Sequence, residues 1–161
     1  SNALCRYALV EIVNLHSHAL EFEAIHRIVT DVDTKALMSE MTAALELSEE
    51  RSEQAIVVCD NGTEKTLYIH KPTSKLTVGS LQNFLDSYIK EKGGKVDYIH
   101  GAEVIRELSA KENSIGFMLP DMGKEELFPT VIVDGALPRK TFSMGHAEDK
   151  RFYVEARKIL K

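Results

Sequence analysis

The chain has 161 residues, with 20 Lys or Arg against 25 Asp or Glu and a formal net charge of −5. That length predicts one domain, large enough to bury roughly 70% of its unfolded surface. A hydrophobic content of 43% excludes disorder over most of the chain, and no apolar run nears the roughly 20 residues of a membrane-spanning helix.

Ser1-Asn2-Ala3 has the form of an expression-tag remnant, which leaves residues 4–161 as a single domain. A β-branched and aromatic run over 5–13 predicts a strand, apolar on both faces and therefore central. Its abrupt start predicts the C-terminal fragment of a longer protein. After a loop at 14–18, residues 20–29 alternate with a period of two. Leu20, Phe22, Ala24, His26 and Ile28 face one way, and Glu21, Glu23, Ile25, Arg27 and Val29 the other. The alternation predicts that His26 is mostly buried and sends Arg27, on the opposite face, to a groove or to the missing half of the longer protein.

Asp33 predicts the cap of a helix over 34–47, with Leu37, Met41, Ala44 and Leu45 on its apolar stripe. Strands at 54–60 and 65–71 flank Asn61-Gly62, the dipeptide that supplies the positive φ angles of a tight hairpin. Thr77 is the expected cap of a second helix, closed by Gly93-Gly94. A strand at 95–99, a helix at 102–110 and a strand at 114–119 predict parallel crossovers. A short helix at 123–128 is expected to stop before Pro129. The result is an α/β (α+β) fold, a mixed sheet with hairpins and βαβαβ crossovers and helices packed on it. Residues 147–159 support two readings, a helix with its dipole matched by charge or the far arm of a hairpin with 141–144.

Charge is uneven. Residues 31–64 carry nine acids against two bases, and residues 137–161 carry seven bases against three acids. The basic end lacks the aromatic interleaving and overall basicity of a nucleic-acid binder, so neither nucleic acid nor membrane is an expected partner. Cys5 and Cys59 lack disulfide density and metal-ligand spacing, and read as reduced thiols of a cytoplasmic protein.

Candidate chemistry rests on few residues. His16 and His18 form a His-x-His loop with no second ligand pair, so no metal site is assigned. His26 is expected to be mostly buried and satisfied by a backbone carbonyl. His100 stands where a strand ends and a helix begins, a junction at which free N–H groups meet anions. Arg139, Lys140 and Thr141 place two cations and a hydroxyl beside Pro138, the parts of an oxyanion clamp. Lys150 or Arg151 is expected to complete it. The anion- or substrate-binding set is therefore His26, Arg27, His100, Arg139, Lys140 and Thr141.

The strand Ala19–Val29 with its His26-Arg27 pair resembles the domain-of-unknown-function 1015 family. So do Tyr98-Ile99-His100-Gly101, Gly116–Pro120, Leu137–Gly145 and Lys150–Ile159. Many members have Pro-x-Lys-Ser-Thr where this chain has Pro138-Arg139-Lys140-Thr141-Phe142. The resemblance covers the family's C-terminal part. Its upstream half is similar to ParB-like folds, some of which are nucleotide-dependent kinases of free serine. What the resemblance implies is the C-terminal portion of a small-molecule enzyme acting on an amino acid or phosphorylated metabolite. The tag remnant, the abrupt strand start and the absence of the family's upstream motif predict a portion that supplies anion-binding residues and stays inactive alone, while any nucleotide would bind in the full-length protein. Its partners would be its own N-terminal domain and a small-molecule anion. The alternative is a non-catalytic binding or dimerisation module, a homodimer.

Overall fold

The computed structural model describes residues 12–18 and 20–145. The expected strand at 5–13, Lys150, Arg151 and the two readings of 147–159 lie wholly or mostly outside the described residues.

Seven strands and four helices follow in order: β1 (Phe22–Thr30), α1 (Thr34–Leu45), β2 (Leu47–Ser48), β3 (Gln54–Asp60), β4 (Thr63–Ile69), α2 (Thr77–Lys92), β5 (Lys95–His100), α3 (Ala102–Ser109), β6 (Ser114–Met118), α4 (Leu127–Asp134) and β7 (Phe142–Met144). The strands form one sheet in the order β2-β4-β3-β6-β1-β5, and β7 also pairs with β1. The fold is the expected α+β class. Its crossovers are of a particular kind. β5 and β6 both pair antiparallel to β1, which lies between them. The strands joined by α3 are thus parallel to each other but not neighbours, and every hydrogen-bonded pair among the described strands is antiparallel.

Local chemistry accounts for most boundaries. The Asp33 carboxylate accepts from the N–H groups of Lys35 and Ala36, both at 3.0 Å, capping α1; such a cap contributes about 1 kcal/mol. Asp60 pairs with Thr63, so β3 and β4 are joined by two residues. Asn61 and Gly62 take φ of 47° and 76°, the mirror-image turn whose twist matches the strands. Gly93 closes α2 at φ 85°.

Two boundaries depart from expectation. Leu76, not Thr77, is the N-cap of α2, and no side chain caps that end. Pro129 does not stop a helix but lies inside α4, which follows a 3₁₀ turn at Lys124–Glu126. It is tolerated because the first-turn N–H groups of a helix have no intrahelical partner to lose.

The core has two parts, one on each face of the sheet. Leu37, Met41 and Leu45 of α1 and Leu81 and Leu85 of α2 pack on Val29, Ile56, Val58, Ile115 and Phe117. Ile105 of α3 packs with Ile28, Cys59 and Met118. Phe22, Ala24 and Val29 all join the first part. Strict alternation along β1 therefore fails between Ala24 and Val29, where the strand exchanges β7 for β5 and β6 as partners.

Candidate functional site

The six candidate residues separate into two groups. The first gathers around His100, the last residue of β5. Gly101, at φ 93°, turns the chain there into α3, as the strand-to-helix junction predicts. The His100 Nε2 hydrogen-bonds the Glu23 carboxylate. Beside it, His26 is half-buried rather than mostly buried, and its Nδ1 accepts from the N–H of Leu119 at 3.2 Å. It is thus satisfied by a backbone donor, not by the carbonyl expected. Accepting at Nδ1 leaves the proton of the neutral ring on Nε2. Burial, more than the repulsion of His100 and Arg27, pushes the His26 pKa below its ordinary 6.5, against the opposing pull of Asp121. Asp121 is itself positioned by the N–H of Ala24, which donates to its Oδ1 at 2.7 Å. Glu23, His26, His100 and Asp121 line one cavity of about 240 Å³. It holds a neutral imidazole with a donor at Nε2, a second imidazole tied to a carboxylate, and a separate carboxylate. Those are the parts of proton-transfer chemistry.

The second group surrounds Arg27, which is 0% exposed. The expectation that it faces a groove or the missing half is corrected: its guanidinium is consumed inside the fold. Nε donates to Gln82 Oε1 at 3.1 Å, Nη1 to the carbonyls of Ile25 and Lys140, the latter at 2.8 Å, and Nη2 to the carbonyl of Arg139 at 3.0 Å. The Tyr98 ring lies 4.8 Å from the guanidinium carbon. Among the described residues no carboxylate pairs with it. Compensation arrives through Gln82, whose Nε2 donates to Asp86 at 2.8 Å. Burial pushes the Arg27 pKa down to about 10, so it stays charged at neutral pH.

The expected clamp is organised by this contact. Arg27 holds the backbone of Arg139 and Lys140, with Lys140 at a left-handed φ of 56°. The Arg139 side chain bonds Asp86 at 2.8 Å and the Tyr98 hydroxyl. Thr141 is buried and donates its hydroxyl to the Pro138 carbonyl at 2.6 Å. The side chain of Lys140 is exposed. Arg27, Arg139 and the Thr141 hydroxyl are thus engaged in holding the loop, and they are not among the residues lining the histidine cavity. Among the described residues no group of three or more His, Cys, Asp or Glu could hold a metal ion, and no helix is long and apolar enough to cross a membrane.

Sequence reasoning missed Glu23, Asp121 and Gln82. Asp121 directly follows Pro120 at the end of a strand-terminating block, a visible signal. Glu23 and His100 are 77 residues apart, and no spacing rule joins them.

A family model described as a protein of unknown function (DUF1015) matches residues 1–88. No curated protein matches the chain. A conserved hypothetical protein from Pyrococcus furiosus is similar in structure, with a TM-score of 0.65 at 14% identity over 85% of this chain and 61% of that one. SbnI with a C-terminal truncation, from Staphylococcus aureus, is similar with a TM-score of 0.56 at 14% identity over 82% and 53%. The chain spans about three fifths of the first neighbour's length and about half of the second's. At that identity the likeness shows the fold.

Proposed function

Since the chain belongs to the DUF1015 family, we propose that it is the C-terminal portion of a small-molecule enzyme, supplying ligand-binding and proton-transfer groups to a site shared with an N-terminal domain. The observation that carries this reading is the shared cavity of His26, His100, Glu23 and Asp121. In it, the neutral His26 donates from Nε2 to an oxygen of an anionic ligand, a role that needs no proton exchange. Glu23 holds His100 with Nε2 as the donor, which leaves Nδ1 to accept a proton from the ligand; the carboxylate then faces an imidazolium and offsets its charge. Arg27, Arg139 and Thr141 act as positioning residues for the loop that carries the exposed Lys140. The ligand class is an amino acid or a phosphorylated metabolite, a nucleotide belongs to the full-length protein, and the setting is the cytoplasm.

A thermal-shift screen of such metabolites on this chain beside a longer family member tests the reading. A ligand should stabilise the longer protein, and His100→Gln should abolish its turnover while leaving folding intact. Full turnover in that variant would refute the assignment. Turnover by residues 4–161 alone would refute the shared site.

One observation favours a second reading, a dimerisation module. Phe128, Ile132 and Val133 of α4 are 62%, 82% and 69% exposed, an apolar face beyond scattered surface residues. Sedimentation of the chain with and without Ile132→Glu decides it: a dimer that the variant dissociates supports the module, a monomer in both removes it.

A further inference from the structure

The histidine cavity carries an imbalance of charge. Glu23, Ala24, His26, His100, Gly101 and Asp121 line it. Two of these are carboxylates, and among the described residues no Lys or Arg lines it. The charged groups on the neighbouring elements are engaged. Arg27 follows His26 in β1, but its guanidinium is spent on Gln82 and on the carbonyls of Ile25, Arg139 and Lys140. Glu103, in the first turn of α3, pairs with Arg106 at 2.6 Å. An anion that enters the cavity meets two charges of its own sign, and like charges at short range disfavour one another.

Only the two imidazoles can turn positive here, and their hydrogen bonds make them unequal. His26 accepts the Leu119 N–H at Nδ1 over 3.2 Å. A proton at Nδ1 would set two donors against each other and lose that bond, and burial already holds the His26 pKa below its ordinary 6.5. This ring therefore stays neutral, with its proton on Nε2. His100 has no such restriction. Its Nε2 donates to the Glu23 carboxylate, and among the described residues no hydrogen bond occupies its Nδ1. A proton added there breaks no bond. The resulting imidazolium keeps its hold on Glu23 and sets a positive charge in the cavity wall.

We propose that the cavity takes up its anion together with one proton, held at His100 Nδ1, so that anion binding tightens as the pH falls. This rests on the reading of the cavity as a ligand site and supplies its regulation. The proton arrives on the ligand or from solvent. In either case the complex holds one proton more than the separate protein and anion, and His26 donates its Nε2–H to the anion without exchanging it. Linkage fixes the slope: affinity rises about tenfold for each unit of falling pH while the free imidazole is neutral, and levels off once it is charged in the free protein as well.

The test is calorimetric titration of the chain with sulfate and with acetate at constant ionic strength, at about pH 8, 7 and 6, the range in which imidazoles change charge. Both probes keep their charge over that range, so the proton count belongs to the protein. Repeating one pH in two buffers of different ionisation enthalpy counts the protons. About one proton should enter per anion bound near the upper end of the range. His100→Gln should lose the proton uptake and the pH slope, whereas His26→Asn should weaken binding and keep the proton count. Asp121→Asn keeps an acceptor for the Ala24 N–H and removes one repelling charge, so it should tighten binding at every pH. If His100→Gln fails to fold, the ring nitrogens decide: in ¹⁵N NMR of the parent at about pH 7, added sulfate should convert His100 to the imidazolium and leave His26 protonated at Nε2 alone. Binding that ignores pH, or that keeps its proton uptake in a folded His100→Gln, would overturn the coupling and leave the ligand site standing. Conversion of His26 instead of His100 would also overturn it. Failure of both probes to bind at any of these pH values would overturn the proposal and leave the ligand site to the metabolite screen.

Discussion

The guanidinium of Arg27 donates to the carbonyl of Lys140 over 2.8 Å, tying the middle of β1 to a loop 113 residues further along the chain. A buried arginine whose hydrogen bonds among the described residues go to neutral oxygens is costly, and its removal strands those oxygens. Arg27→Leu is therefore expected to lower the unfolding free energy by about 3 kcal/mol, the cost of orphaning buried carbonyls and an amide. Arg27→Lys should recover less than half, since a point charge cannot reach three directions at once. Urea midpoints at constant m-value check both.

His26 gives a pH dependence with a definite sign. Its pKa is lowered from 6.5 by burial. As the pH falls below that value, the unfolded chain takes up its proton before the folded chain does. The His26 contribution is therefore complete above the unfolded pKa and is lost as pH falls through the lowered one. Protonating Nδ1 would also set a donor against the Leu119 N–H. His26→Asn keeps an acceptor without the titration, and its stability should change less than that of the parent between about pH 7 and pH 5. Equal slopes in the two proteins would contradict this.

Gly116 has an ordinary backbone, and its need is for space. A Cβ there would sit 2.6 Å from Ile105 Cγ2, 3.3 Å from Ser109 Cβ and 3.4 Å from Cys59 Cβ. The absent methyl lets α3 lie on β6. Gly116→Ala should cost about 1–3 kcal/mol through overpacking, and the α3 amides should lose hydrogen-exchange protection first.

Burial also pushes the Cys59 thiol up to about 11, so little of it is thiolate at neutral pH. In a Cys5→Ser background, native protein at about pH 8 should resist iodoacetamide and react fully once unfolded in urea. Rapid labelling of the native chain would show that the β3–α3 contact opens readily.

Features written in adjacent residues were legible in the sequence. Asn61-Gly62, Asp33 and Gly93 each solve a backbone problem within four residues, so composition reveals them. Leu76 was misread because Thr77, a good cap by residue type, stands one position too late. Pro129 was misread because its effect depends on where the helix begins, which sequence places only to within a turn. Arg27 was misassigned because an arginine on an alternating strand reads as surface until Gln82, Tyr98 and the 139–140 carbonyls are brought around it. The histidine cavity was half legible. The end of a strand drew attention to His100, whereas its carboxylate partner belongs to another strand altogether.

The pairing of β1 has a consequence for biosynthesis. This strand hydrogen-bonds only to β5, β6 and β7 among the described strands, and the first of its partners to be made is Lys95. During translation β1 is made before α1, the β3–β4 hairpin and α2, and it waits with its edges open while they are synthesised. Contacts so distant in the chain close slowly, and an unpaired apolar strand is a site for aggregation in the interval. The β3–β4 hairpin pairs residues adjacent in the chain, but the sheet cannot close around β1 until β5, β6 and β7 have all followed.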